Sequence, residues 1–209
     1  MTERDTVEPA YWGEAKELLR AADPILAALI DAHEEPPLRS FERPFETIVH
    51  SVVGQQISAK AADAVWGRLV EVLGEVEPEN IARQEAETLR AVGLSGRKVE
   101  YIVGLATECP WIVSRDWSQD SDAEVMKRLC AIRGVGPWTA EMVMIFALLR
   151  PDVLPLKDIG VIRAIEDLYN DKEALDSEQI TAIAEAWRPY RTVATWYLWR
   201  HIDADPVEY

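Results

Sequence analysis

The chain has 209 residues, 48% of them apolar, which is enough to bury one large core or two smaller ones. It holds no apolar run of 18 residues, which excludes a membrane-spanning helix. The stretch from Met1 to Trp12 is polar and acidic, without the basic flank and apolar centre of a secretion signal, so a cytoplasmic protein is expected. Two cysteines, Cys109 and Cys130, exclude a disulfide scaffold and a four-cysteine cluster within the chain, and the scattered His33, His50 and His201 form no metal motif.

Helical periodicity dominates the chain. After expected helices at 10–21 and 24–33, the pair Pro36-Pro37 and then Pro44 break the pattern. Phe45, Ile48, Val49, Val52 and Val53 then recur at helical spacing, as do Ala62, Val65, Trp66, Leu69, Val70 and Leu73. Further helices are expected at 79–92, 96–108, 121–132, 138–150, 159–170, 177–187 and 190–202, separated by glycines and prolines. No segment alternates with a period of two. The pattern predicts an all-α protein of ten or eleven helices. Residues 1–40 are expected to supply N-terminal helices that pack with the C-terminal ones. Residues 41–150 form a central lobe, and 151–209 complete the second lobe, with a cleft between the two.

The formal net charge of −15 argues against nucleic acid, whose phosphates call for lysine and arginine. The distribution is uneven. Residues 127–163 carry six basic side chains against three acidic ones, and 188–201 carry Arg188, Arg191, Arg200 and His201 with no acid. Residues 164–186 hold seven acids and one lysine. One locally positive face on an acidic body and a uniformly solvated acidic surface both fit these numbers.

Two stretches carry chemistry. In the first, an amphipathic helix with Val125, Leu129 and Ile132 inward runs into Gly134-Val135-Gly136, and a second helix starts at Pro137. Glycines two apart permit a tight turn with positive φ and leave the amides of the turn and of the new helix uncovered. Such amides, with the helix dipole, can hold a phosphate oxygen without any basic side chain. Gly134, Val135, Gly136 and Thr139 are therefore candidate phosphate contacts. The alternative is an ordinary glycine-turned helical hairpin. In the second stretch, Val153 to Arg163, Asp158 stands just before the next helix. A fixed carboxylate there can stabilise an oxocarbenium-like sugar and help position water; as an N-cap for helix 159–170, it would have an ordinary structural role. Both roles can coexist.

The string from Leu129 to Ala140 resembles the helix-hairpin-helix motif of base-excision glycosylases. Pro155, Asp158 and Gly160, 22 residues past Gly136 in the case of Asp158, match the setting of that superfamily's catalytic aspartate; Lys157 stands where many relatives carry a further acid. With the segments that begin at Phe45, Val92 and Ala186, the resemblance covers most of residues 40–203 and points to the 3-methyladenine DNA glycosylase II (AlkA) family. It implies a two-lobed helical glycosylase without the N-terminal mixed α/β domain of longer bacterial members. The implied function is hydrolysis of the N-glycosidic bond of alkylated bases, of 3-methyladenine and 7-methylguanine type, in duplex DNA after base flipping.

The resemblance also implies roles residue by residue. Asp158 would be catalytic. Trp138 and Trp196, with Met142 and Ile159 replacing aromatics of some relatives, would line the pocket for a cationic base. Trp138 stands where bifunctional relatives carry a nucleophilic lysine, so no lyase step is expected. Gln56, then Ile57, would fill the gap left by the flipped nucleotide. Ser95, Arg97, Lys98, Arg163 and Arg188 are candidate backbone contacts. The carbonyls of Cys130, Ile132 and Val135 would hold Na+ or K+, and no other cofactor is expected. The expected partner is double-stranded DNA with damaged bases, engaged by a monomer found in the cytoplasm and on the nucleoid. A non-catalytic DNA-binding hairpin module, and a glycosylase for deaminated or oxidised bases, are the alternatives.

Overall fold

The computed structural model describes residues 6–33 and 37–203; Met1 to Asp5, the predicted breaker Pro36 and the last six residues lie outside the described residues. Thirteen α-helices are present among the described residues, with no strand; Val7 and Ser40 exchange a pair of antiparallel backbone bonds in isolation. The chain divides into two compact units, one of residues 43–143 and the other of 1–42 with 144–209. No helix among the described residues is long and apolar enough to cross a membrane.

The unit of residues 43–143 is built on α3 (Pro44–Gly54), α4 (Ala59–Leu73) and α7 (Gly96–Glu108). Pro44 starts α3 at a position where its missing N–H costs nothing. Phe45, Ile48, Val49, Val52 and Val53 are all buried, as their spacing predicts. Each such side chain contributes about 1.5–3 kcal/mol by leaving water. The short helices α5 (Pro78–Ala82), α6 (Ala86–Ala91) and α8 (Trp111–Ser114) pack onto α7 and α3. α9 (Asp122–Cys130) opens with a capping box, in which Ser121 and Glu124 satisfy each other's backbone N–H groups. The unit boundary falls inside α10 (Pro137–Phe146).

The other unit contains α1 (Trp12–Ala22), α2 (Pro24–Ala32), α11 (Ile159–Tyr169), α12 (Ser177–Ala184), a 3-10 turn at Glu185–Trp187 and α13 (Arg191–Ile202). α1, α2 and α11 all pack on α13. α13 is buried without interruption from Thr192 to Trp199, so it has no polar face and forms the centre of this unit. Asp23 holds the periphery together. Its Oδ1 accepts the backbone N–H groups of Ile25 and Leu26, and its Oδ2 accepts from the Tyr169 hydroxyl at 2.7 Å and the Trp187 indole at 2.8 Å. It is 7% exposed, and hydrogen bonding on this scale is what lets a carboxylate be buried.

The helix boundaries depart from expectation in three places. The helix expected at 79–92 is two, because a turn closed by the Gln84 N–H on the Ile81 carbonyl interrupts it. Ile81 and Leu89 are both fully buried at helical spacing, so the apolar pattern runs through the break without marking it. The helix expected at 138–150 stops at Phe146; Leu149 adopts φ +51° and the Arg150 N–H closes back on the Met144 carbonyl at 2.8 Å. α8 was not expected at all, since four residues are too few to show a period.

Candidate active site and nucleic-acid interface

The hairpin turn follows α9. Gly134 has φ +89°, and a Cβ on it would lie 2.4 Å from the Tyr101 ring, so both backbone conformation and packing require glycine there. Gly136 differs from expectation. It is not in the left-handed region, and a Cβ would meet nothing within 4 Å. The second glycine thus answers no demand of the fold; it keeps the approach to the N-terminus of α10 clear, where the helix dipole favours an anion. The Val135 N–H donates to the Ile132 carbonyl at 3.0 Å, which occupies one of that oxygen's two lone pairs. The carbonyl oxygens of Cys130, Ile132 and Val135, expected to hold a monovalent cation, are neutral hard oxygens. Among the described residues no group of His, Cys, Asp and Glu could hold a metal.

The loop between α3 and α4 belongs to the same unit. Gln55 caps α3, and its side-chain amide donates to the Gly134 carbonyl at 3.1 Å and to the Thr139 hydroxyl at 3.2 Å. Gln56 follows with φ +60° and an exposed side chain, and Ile57 is 42% exposed. Ser58 then caps α4 through the Ala61 N–H. The two gap-filling candidates are therefore presented to solvent on a fastened loop.

In the other unit, the segment before α11 is pinned to α13. The Arg191 guanidinium grips the Asp152 carboxylate at 2.6 and 3.0 Å, and Arg188 pairs with the same carboxylate. The Thr192 hydroxyl donates to the Arg150 carbonyl at 2.6 Å and accepts the Val153 N–H at 3.0 Å. A turn closed by the Asp158 N–H on the Pro155 carbonyl then delivers Asp158 to the start of α11. Its Oδ1 accepts from the Val161 N–H and from the Trp199 indole N–H, each at 2.9 Å. Two donors from different elements hold the carboxylate in one orientation while the residue stays half-buried. Trp199 is itself held by stacking on Phe146, with ring centroids 5.5 Å apart and planes at 16°. Gly160 leaves room for this pair: a Cβ there would lie 3.1 Å from Asp158 Oδ1 and 3.2 Å from Trp199 Cδ1.

Several expected site residues sit elsewhere than foreseen. Trp196 is 3% exposed and packs edge-on against Trp12 in the core; Trp199, buried at 8% exposure, is the tryptophan that bonds to Asp158. One helical turn separates the two, and sequence alone does not reveal the rotation of a helix buried all round. Met142, at 1% exposure, is also core, whereas Ile159 stands 63% exposed and Trp138 is half-buried. Thr139, at 1% exposure, turns its side chain inward to Gln55, so it anchors the loop and offers no hydroxyl at the surface. The Lys98 ammonium donates to the Val53 carbonyl at 2.7 Å, where burial pushes its pKa down; it caps α3 and is not a free cation. The Ser95 side chain caps α7. Arg163 is exposed, yet it lines a depression of about 330 Å³ with Glu166 and Asp167, which weakens any positive field there. Arg128, Arg133 and Arg188 are paired with acids, so these three add little unopposed positive charge to the surface.

Sequence reasoning missed Gln55, Trp199 and the threonines of α13. The signal that could have found the last two is the run Thr192, Thr195 and Trp199. These hydrogen-bonding groups recur at helical spacing on an otherwise apolar helix, and buried polar groups need partners.

A glycine turn between two helices in one unit, and an aspartate held at a helix start in the other, are the features of a helix-hairpin-helix protein. The sequence matches the family described as HhH-GPD superfamily base excision DNA repair protein over residues 49–189, and the chain belongs to that superfamily. It is similar to DNA-3-methyladenine glycosylase 1 of Schizosaccharomyces pombe, at 33% identity over 78% of this chain and 75% of that protein. It is also 33% identical to the DNA-3-methyladenine glycosylase of Bacillus subtilis over 75% of this chain, but spans only 56% of that longer relative. Among solved structures, the Schizosaccharomyces pombe 3-methyladenine DNA glycosylase in complex with abasic DNA aligns with a TM-score of 0.81 at 29% identity, covering 90% of this chain and 95% of that one. The DNA-3-methyladenine glycosidase of Bacillus halodurans aligns at 0.75 and 35% identity, over 95% and 93% of the two chains.

Proposed function

We propose that this protein is a monofunctional DNA glycosylase that hydrolyses the N-glycosidic bond of alkylated bases in duplex DNA. The observation that carries this reading is the Asp158 carboxylate, held on one oxygen by the α11 N-terminus and the Trp199 indole, in a chain similar to 3-methyladenine glycosylases. Alkylation at a ring nitrogen makes the base cationic and a good leaving group, so the protein needs no strong general acid. What it must supply is a negative charge near the sugar as the C–N bond breaks and positive charge develops there. A carboxylate already fixed by two donors supplies it without reorganising.

The uncovered amides around Gly136 take the DNA backbone, which reconciles binding with an acidic chain, since backbone donors carry no formal charge. Gln56 and Ile57 are exposed where a gap filler is needed once the damaged nucleotide leaves the stack. The Trp138 indole, standing at the position of the lyase lysine in bifunctional relatives, cannot form a Schiff base, so cleavage stops at the abasic site. Duplex DNA with damaged bases is the partner of a monomeric enzyme, with Na+ or K+ on the hairpin carbonyls where those are bound.

Asp158→Asn tests the reading. Asparagine retains an oxygen for Val161 and Trp199, so the fold persists while the charge is lost. Release of methylated purines from alkylated duplex DNA is expected to fall by about 10²–10³-fold, the usual scale for removing an electrostatic stabiliser of a transition state. Equal release by the two proteins would refute it.

A further inference from the structure

We infer that Gln55 is a positioning residue that yokes the gap-filling loop to the phosphate-gripping hairpin, so that Gln56 enters the base stack in register with the held strand. This rests on the glycosylase reading above and extends it to a residue that touches neither the base nor the sugar.

The geometry is specific. Gln55 follows the last turn of α3, and its own N–H closes on the Ser51 and Val52 carbonyls. Its side chain then reaches 79 positions along the chain to the Gly134 carbonyl and 84 positions to the Thr139 hydroxyl. A carbonyl can only accept, so the amide nitrogen must face the hairpin. The two anchors bracket the hairpin: Gly134 lies in its turn and Thr139 in the first turn of α10. Thr139 is buried, so its hydroxyl has little water to fall back on if Gln55 is lost.

In the last turn of α3, just before the loop, the Lys98 ammonium holds the Val53 carbonyl. The end of α3 and the loop after it are thus fastened from α7 at Val53 and from the hairpin at Gln55, and Gln56 comes immediately after the second fastening. Gln56 adopts a left-handed conformation that a residue with a Cβ takes only when its surroundings impose it. The side chain that must fill the gap is therefore aimed by its neighbour.

The mechanical consequence is testable. If the hairpin holds the DNA strand, the reach of Gln56 into the stack is set by the length of the Gln55 amide bridge. Cutting the bridge should raise the cost of flipping a nucleotide and leave bond cleavage itself unchanged. A role confined to folding would lower every activity alike. A mismatched lesion flips at lower cost and so depends less on the plug.

The experiment compares Gln55→Ala, Gln55→Glu and Gln56→Ala with the unmodified protein. Single-turnover excision is measured on duplexes with one methylated base, either correctly paired or mispaired. Both Gln55 variants should lose about tenfold on the paired duplex, the scale of two neutral hydrogen bonds, with Gln56→Ala behaving similarly. On the mispaired duplex both Gln55 variants should stay within about threefold of the unmodified protein. Loss by the same factor on both duplexes, or no loss on either, overturns the inference. A second arm needs no excision: 2-aminopurine beside a tetrahydrofuran abasic analogue reports unstacking on binding. Its signal should fall in the Gln55 variants, and an unchanged signal overturns the inference. If the unmodified protein excises nothing from either duplex, the glycosylase reading fails, and the fluorescence arm still decides the role of Gln55.

Discussion

Replacing Gly160 by alanine adds one methyl group where Asp158 and Trp199 meet. The added Cβ would lie 3.1 Å from Asp158 Oδ1, 3.2 Å from Trp199 Cδ1 and 3.5 Å from Trp199 Nε1. Comfortable contacts begin near 3.5 Å, so the carboxylate and the indole must each retreat by roughly 0.3–0.5 Å. Gly160 is not in the left-handed region, so alanine meets no backbone penalty and gains up to about 1 kcal/mol from helix propensity and a less flexible unfolded chain. The contact strain costs about 1 kcal/mol. The two nearly cancel, and the melting temperature should stay within about 3 °C.

The site responds differently. A misplacement of 1 Å at a reacting centre costs about 10²-fold, so a shift of half that size should slow excision roughly tenfold. Single-turnover release of a methylated base, measured with enzyme in excess alongside thermal unfolding, checks both numbers. A rate within twofold of the unmodified protein at unchanged stability would show that the Asp158–Trp199 bond does not set the position that matters.

Other outcomes follow from the same geometry. Asp23→Ala leaves the Tyr169 hydroxyl, the Trp187 indole and two α2 N–H groups without their acceptor; it should cost about 3 kcal/mol or more and lower the melting point by about 6–12 °C, read by calorimetry. His50, desolvated by burial and packed with its ring tilted against Trp66, is pushed down to about 4 from the ordinary 6.5. Above pH 6.5 it is neutral folded or unfolded and contributes no pH dependence. Between 6.5 and 4 the unfolded chain binds the proton more readily, so stability should fall by up to about 3 kcal/mol as pH drops through that window. Denaturant titrations should show this slope flattened in His50→Phe. Borohydride treatment of the protein on lesion-containing DNA should trap no covalent complex, and a trapped species would mean that a nucleophilic amine other than position 138 performs a lyase step.

Much of this protein is legible without coordinates. The apolar stripe of α3, the prolines at helix starts and the Ser121–Glu124 box follow from local rules, because a helix repeats within a few residues and its caps lie within one turn. The glycine turn and Asp158 are legible for the same reason: each is a short string whose backbone chemistry is intrinsic. Gly134 demonstrates the limit. Its positive φ is a local matter, but its contact with Tyr101 comes from another helix.

What tertiary structure alone decided concerns partners far apart in the chain. Asp158 meets Trp199 across 41 positions, Gln55 meets Gly134 across 79, and Asp23 meets Trp187 across 164. On α13, which is buried all round, no apolar stripe indicates which tryptophan faces the aspartate, and packing against α1, α2 and α11 sets that rotation. Periodicity encodes which face of a helix avoids water. It carries no information once every face does, and there the choice falls to steric fit and to hydrogen-bond donors that burial would otherwise leave unpaired.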